Sequence, residues 1–250
     1  MTEKVWLRFE TKPKDGTALK LRIQDLPPAR ADEALELRLT QFAADEVVHK
    51  AAGITKNPEA VESYKEYLNL LKQDPSYSTV ICCEDNGDDA GDILGVSSIS
   101  LAKEDFNWDQ ILEMIKKDGP EEIRKLTAVF KSTSDMYKPV KELNLKEYLE
   151  DHSILVMPGY RCCGIAQQFL KTRRLQCAEL GVLKTGGWMT GYGTQIAAER
   201  DGWETVFEVK YDDLAREHNL VFEDAPPTMK YMIAGPLTTY TQNQNSHLLN

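Results

Sequence analysis

The chain has 250 residues, and its 30 Lys and Arg against 40 Asp and Glu leave a formal net charge of −10. A hydrophobic share of 42% with 28% charged residues describes a globular rather than a disordered chain, and the acidic balance argues against nucleic acid as a partner. No stretch approaches the roughly 18 apolar residues of a membrane span, and the first dozen residues have no apolar core, so no membrane span and no signal peptide are expected and the protein is placed in the cytoplasm.

This length is ample for one sizeable core, and no linker divides it, so residues 1–250 are read as a single domain, with a loose polar tail over 237–250. There are five cysteines, Cys82, Cys83, Cys162, Cys163 and Cys177. Four form adjacent pairs, the total is odd, and no C-x-x-C spacing occurs. Reduced thiols are expected, with neither a disulfide framework nor a metal site.

In chain order, Val5–Thr11 and Leu19–Ile23 read as short strands around a turn at Lys14-Asp15-Gly16. Pro27-Pro28 breaks the chain before a helix over Asp32–Ala43, with Asp32 as a candidate cap. A second helix, Pro58–Lys72, starts with Asn57 as cap and Pro58 in its first turn. Ser78–Cys83 and Ile93–Leu101 form an antiparallel hairpin around an acidic turn. Helices are expected over Trp108–Lys117 and Glu121–Tyr137, and a strand over Ser153–Met157. An amphipathic helix, Gly164–Leu180, places Ala166, Phe169, Leu170, Cys177 and Leu180 on its apolar face, turns Lys171, Arg173, Arg174 and Glu179 outward, and ends at Gly181. Strand Leu183–Trp188, helix Thr194–Arg200 and strands Thr205–Lys210 and Thr228–Ile233 complete an α/β or α+β order, a sheet with helices on both faces.

The most informative segment is Val156-Met-Pro-Gly-Tyr-Arg-Cys-Cys-Gly-Ile-Ala166. A strand ends, a loop turns and a helix begins, which exposes unpaired N–H groups and the positive end of the helix dipole to an anion. Arg161 adds a cation, and Gly164 permits close backbone approach. A P-loop is excluded because Ile165 and Ala166 stand where Lys and Ser or Thr are required. Gly191-Tyr-Gly193 lacks the third glycine of a dinucleotide fingerprint.

Arg161-x-x-Gly164-x-Ala166 resembles the pyrophosphate-binding pattern of the GNAT acetyltransferases. Thr190–Trp203 resembles their second motif, a short helix that ends in Gly-aromatic. Val206–Asp213 resembles the ending of the insect arylalkylamine N-acetyltransferases. Phe42-Ala-Ala-Asp45-Glu46-Val47-Val48 resembles their Phe-x-x-Asp-Glu-Pro-Leu box, with Val47-Val48 in place of Pro-Leu.

The resemblance implies a central mixed, mostly antiparallel twisted sheet flanked by helices. It implies acetyl-CoA as co-substrate, no metal, a small primary amine of the arylalkylamine class as acceptor, and a monomer. Leu155, Val156, Arg161, Cys162, Cys163, Gly164, Ile165 and Ala166 would hold the CoA, and a splayed strand near Ile154–Val156 would offer a backbone N–H to the thioester oxygen. An alkylammonium has a pKa of about 10, so transfer at neutral pH needs a base. That role falls on Glu46, whose pKa burial would raise, with His49 a rival. Thr190 and Thr194 stand where the family has serines and read equally as catalytic hydroxyls or helix caps; Tyr192 is a further candidate to protonate the thiolate. The loss of Pro-Leu leaves open polyamines, agmatine or longer acyl donors, and a CoA-binding protein without catalysis. An acyl-Cys route through Cys162 or Cys163 is the least favoured.

Overall fold

A computed structural model describes residues 3–13, 16, 18–87, 89–103 and 119–237. The expected helix Trp108–Lys117 and the tail beyond 237 lie outside these residues.

Eight strands form one sheet in the order β1-β2-β3-β4-β5-β6-β8-β7. They are β1 Val5–Thr11, β2 Leu19–Asp25, β3 Ser78–Asn86, β4 Asp89–Lys103, β5 Glu147–Val156, β6 Thr185–Met189, β7 Glu204–Lys210 and β8 Thr228–Ala234. Every neighbouring pair is antiparallel except β5 and β6. The expected mixed, mostly antiparallel sheet is therefore present.

Strand alternation sends successive side chains to opposite faces. Val80, Cys82 and Leu94 point to one side, where they meet Ile165 and Phe169 of α7 (Ile165–Leu180). Ile81, Ile93 and Val96 point to the other, against Ala34 of α1 (Ala31–Leu37) and Phe42. On the first face α8 (Tyr192–Arg200) packs beside α7 through Leu170, Ala197, Ala198 and Trp203. The second face carries α3 (Val47–Ala52), α4 (Pro58–Leu71), α5 (Glu121–Met136) and α9 (Tyr211–His218), whose apolar sides meet Val209 and Met229 of the sheet. A short α2, Ala43–Asp45, and α6, Pro139–Glu142, complete the helices of the described residues.

Several boundaries differ from expectation for identifiable reasons. Asp32 is not the cap of α1: the cap position is Arg30, and Asp32 sits in the first turn, where its charge favours the helix dipole. The helix does not run evenly to Ala43 but widens into a π-turn at Arg38–Phe42, with the Arg38 guanidinium buried against the Tyr77 hydroxyl. Asn57 does cap α4, its side chain accepting from Glu59 N at 3.0 Å.

The outward assignment on α7 is wrong at two positions. Arg173 is 0% exposed and pairs with Asp151 of β5, Arg174 is largely buried and donates to Gly235 O and Asp201 O, and Leu180, placed on the apolar face, is 61% exposed at the helix end. Strand β5 begins six residues earlier than expected, at Glu147, and the charged run Glu150-Asp151-His152 belongs to it. Gly187 marks a close approach of β5 and β6: a Cβ there would lie 2.3 Å from Asp151 Cβ. Gly187→Ala is expected to destabilise the fold by about 1–3 kcal/mol through overpacking, read as a lowered midpoint in urea unfolding.

Candidate active site

Strands β5 and β6 pair only at Leu149–Thr185 and Glu150–Gly186. Beyond that point they part, and β5 leaves alternate backbone N–H and C=O groups facing a gap instead of a neighbour. A cleft of about 1110 Å³ occupies the gap. Leu155 and Val156 line it from β5, and Thr190, just past the end of β6, lines it from the other side.

At the open end of the cleft α7 begins. Gly164 precedes it with φ +79° and no side-chain cap, and the first intrahelical bond of the α7 start is Gln168 N to Gly164 O at 3.1 Å. The N–H groups of Ile165, Ala166 and Gln167 thus precede the helical ladder. A Cβ on Gly164 would meet nothing within 4 Å, so the space over this turn is open. Arg161, Cys162, Gly164, Ile165 and Ala166 all border the cleft. Unpaired N–H groups, a helix N-terminus and a guanidinium around open space form a donor set that fits a pyrophosphate. Arg161 is held by two contacts, its Nε donating to Val156 O at 3.2 Å and its Nη2 pairing with Asp45 Oδ2 at 2.5 Å. Cys163 turns aside: its carbonyl accepts from Thr11 Oγ1 at 2.7 Å and its side chain packs toward β1 and β2.

Glu46 breaks the chain between α2 and α3 in an extended conformation and caps α3. Its Oε2 accepts from Val48 N at 3.0 Å and His49 N at 2.9 Å, and His49 Nδ1 lies 2.5 Å away. The Glu46 side chain is 11% exposed and reaches the cleft. Its Oε1 is buried with no hydrogen-bond partner. Burial alone would raise the pKa, but the imidazole's hydrogen bond and charge, the His49 backbone N–H and a weaker contribution from the Thr190 hydroxyl outweigh it, so the carboxyl is held below its usual value. The expected rise is therefore corrected: Glu46 is an ionised acceptor at neutral pH. An ionised carboxylate only accepts hydrogen bonds, so His49 Nδ1 carries the proton of the short contact. The ring is enclosed by Phe42, Tyr64 and Phe130, with centroids 5.1, 4.8 and 5.8 Å away.

The two threonines separate. Thr190 lies beside Glu46 in the cleft, with its carbonyl bound by the Tyr211 hydroxyl at 2.8 Å. Thr194 also borders the cleft, but its hydroxyl donates to Gly191 O at 3.0 Å within the first turn of α8. Tyr192 is 53% exposed and does not line the cleft.

Sequence reasoning missed the deeper part of the cleft. Tyr67, Tyr148, Glu150, His152, Trp188 and Tyr231 line it. Burial, with the charges of Arg38 and Arg173, pushes the His152 pKa down to about 3, and its Nε2 lies 2.7 Å from Ser100 Oγ. Among the described residues no group of three or more His, Cys, Asp or Glu side chains could hold a metal ion, and no helix is long and apolar enough to cross a membrane.

No family model and no curated protein matches the sequence. Solved structures do match in shape. A crystal structure assigned to arylalkylamine N-acetyltransferase 7 of the yellow fever mosquito Aedes aegypti superposes with a TM-score of 0.81 at 24% identity, over 94% of this chain and 96% of that one. The fold is that of the GNAT acetyltransferases. Arylalkylamine N-acetyltransferase 2 of Aedes aegypti shares this GNAT fold at a TM-score of 0.74 and 17% identity, over 86% of this chain and 98% of that one. So does the Drosophila melanogaster polyamine N-acetyltransferase, described as forming N-acetylagmatine, at 0.67 and 12% identity, over 86% and 99%. Within the GNAT fold, the parting of β5 and β6 is the splayed-strand feature that the sequence resemblance implied.

Proposed function

We propose that the protein transfers an acetyl group from acetyl-CoA to a primary amine carried on an apolar or aromatic body, the arylalkylamine class. One observation carries this reading. Glu46 lines the cleft where β5 and β6 part; its Oε1 is buried without a hydrogen-bond partner, while Oε2 is fixed by His49 and two backbone N–H groups. A carboxylate with one oxygen held and the other free is placed to take a proton.

In this mechanism the helix α7 N-terminus and Arg161 hold the pyrophosphate, and the backbone of β5 at Leu155 and Val156 aligns the thioester and polarises its carbonyl. Glu46 Oε1 accepts a proton from the ammonium group. The freed nitrogen lone pair forms a bond to the carbonyl carbon, and the C–S bond breaks. The thiolate takes up a proton, for which the Thr190 hydroxyl beside Glu46 offers a hydrogen-bond relay. Aromatic walls from Phe42, Phe130, Tyr148 and Trp188 suit an apolar substrate body.

The test is CoA release from acetyl-CoA over tryptamine, dopamine, spermidine and agmatine. Turnover of at least one amine supports the proposal; tight CoA binding with no amine turned over would leave a CoA-binding protein instead. Arg161→Ala is expected to raise KM for acetyl-CoA by about 10–100-fold, the loss of a charge-assisted hydrogen bond, with a smaller change in KM for the amine.

The His49 contact predicts a pH effect. It lowers the Glu46 pKa against burial, so in the parent enzyme the acid limb of kcat/KM lies below the ordinary carboxylate range. His49→Phe, a ring that suits the same aromatic enclosure, removes the imidazole's share of that opposition and leaves burial acting against only the backbone N–H at 49 and Thr190. The acid limb then moves upward in pH, as a pH profile would show. An unmoved limb would detach Glu46 from that titration.

A further inference from the structure

The proposed chemistry leaves Glu150 unused. Its side chain lines the cleft on β5, and among the described residues it has no hydrogen bond or ion pair. The nearby charges are spoken for: Arg173 pairs with Asp151 at 2.6 Å, and His152 is kept neutral. Burial and the neighbouring Asp151 push the Glu150 pKa well up.

A second orphan lies beside it. Glu150 pairs in register with Gly186, and a Cβ on Gly186 would come within 2.9 Å of the Tyr231 Oη. That hydroxyl is buried without a hydrogen-bond partner, on a residue that is 1% exposed and lines the same cleft. Rings surround the spot: Trp188 meets Tyr231 edge-on at 5.3 Å, and Tyr137 lies 4.8 Å from it. A carboxyl, a hydroxyl and aromatic faces together match an organic cation, which supplies the missing charge, donates hydrogen bonds and is attracted by the rings. An apolar group at this place would leave both polar groups desolvated and unpaired.

We propose that Glu150 and the Tyr231 hydroxyl form a second subsite, which binds a far ammonium or guanidinium group of the acceptor amine. The subsite rests on the reading of the protein as an amine acetyltransferase. Thr190 lies four residue steps beyond Gly186 along β6 and its end, about 13 Å at strand spacing. The subsite is therefore distant from Glu46, and the acceptor is an amine with cationic groups at both ends of an apolar or aromatic body.

The experiment compares matched acceptors long enough to span that distance: 1,8-diaminooctane with octylamine, and 1,10-diaminodecane with decylamine. In the parent enzyme kcat/KM for the longest dication is expected to exceed that of its monoamine by at least about tenfold, on the scale of one charge-assisted contact. Glu150→Gln should shrink that ratio about tenfold, and Tyr231→Phe, which removes one oxygen, should shrink it severalfold. A parent enzyme that uses the monoamines equally well or better overturns the subsite and needs no variant to do so. A ratio that survives both substitutions in folded protein also overturns it. Should no amine be acetylated, the acetyltransferase reading falls. Thermal shift with CoA present then decides the subsite: greater stabilisation by 1,10-diaminodecane than by decylamine, lost in Glu150→Gln, supports it, and equal shifts overturn it.

Discussion

Glu46→Gln is expected to lower kcat/KM for the amine by about 10²–10⁴, the span that general base catalysis contributes. The substitution keeps shape and an oxygen that can still accept from Val48 N or His49 N, so much of the α3 cap survives. It removes the one property the mechanism needs, a lone pair able to take up a proton. It also removes the charge that draws an ammonium into the cleft, so KM for the amine rises along with the fall in kcat. Acetyl-CoA affinity should change little, because the residues at the α7 N-terminus are untouched. Glu46→Ala should lose as much activity and in addition about 1 kcal/mol of stability, since it abolishes the cap. Initial rates over a pH series measure the effect. Activity retained by Glu46→Gln across the whole series would eliminate Glu46 as the base and bring His49 forward.

Much of this site could be read in the sequence because its parts are local. The loop after Val156, Arg161 and the turn at Gly164 are contiguous, and the positions that a strand-loop-helix demands are visible in residue types. Glu46 and Asp45 are legible by resemblance, but the sequence offers His49 only as a rival base; three residues on, its ring instead lowers the pKa that burial alone would raise. The deeper cleft was hidden for a different reason. Strand β5 carries Glu147, Glu150, Asp151 and His152, and a charged run scores against a strand when charge is equated with solvent. Glu150 and His152 face the cleft, and Asp151 meets a buried arginine, rather than an apolar core. Arg173 misled in the same way, placed outward on α7 because a lone guanidinium is rarely fully buried without a partner. Its partner, Asp151, is 22 residues away on another element. Helix α9 did carry a signal that went unread: Asp212 and Asp213 stand in its first turn, Arg216 and His218 in its last, with Tyr211 and Leu214 buried.

The largest stability effect should come from that same arginine. Arg173→Leu is expected to destabilise the fold by about 3–5 kcal/mol, because it leaves Asp151 as an uncompensated, nearly buried charge. The guanidinium Nη2 donates to Asp151 Oδ1 at 2.6 Å, Ser97 Oγ at 2.9 Å and Ser153 O at 3.0 Å, so one nitrogen ties α7 to both β4 and β5. Its Nε and Nη1 are buried without partners, a desolvation cost the native fold already carries. The loss should therefore reflect the stranded carboxylate more than the value of the pair. The double variant Arg173→Leu with Asp151→Ala should recover a substantial part of the single variant's deficit, as replacement of a buried ion pair by apolar groups often does. Urea unfolding of the parent, the two single variants and the double variant completes the cycle. A single variant as stable as the parent would show that Asp151 reaches solvent without Arg173. The pair also lies where β5 and β6 begin to part, next to the close contact of Gly187 with Asp151. Loss of the arginine should therefore also disturb the gap between the strands and weaken the proposed acetyl-CoA binding in the folded fraction.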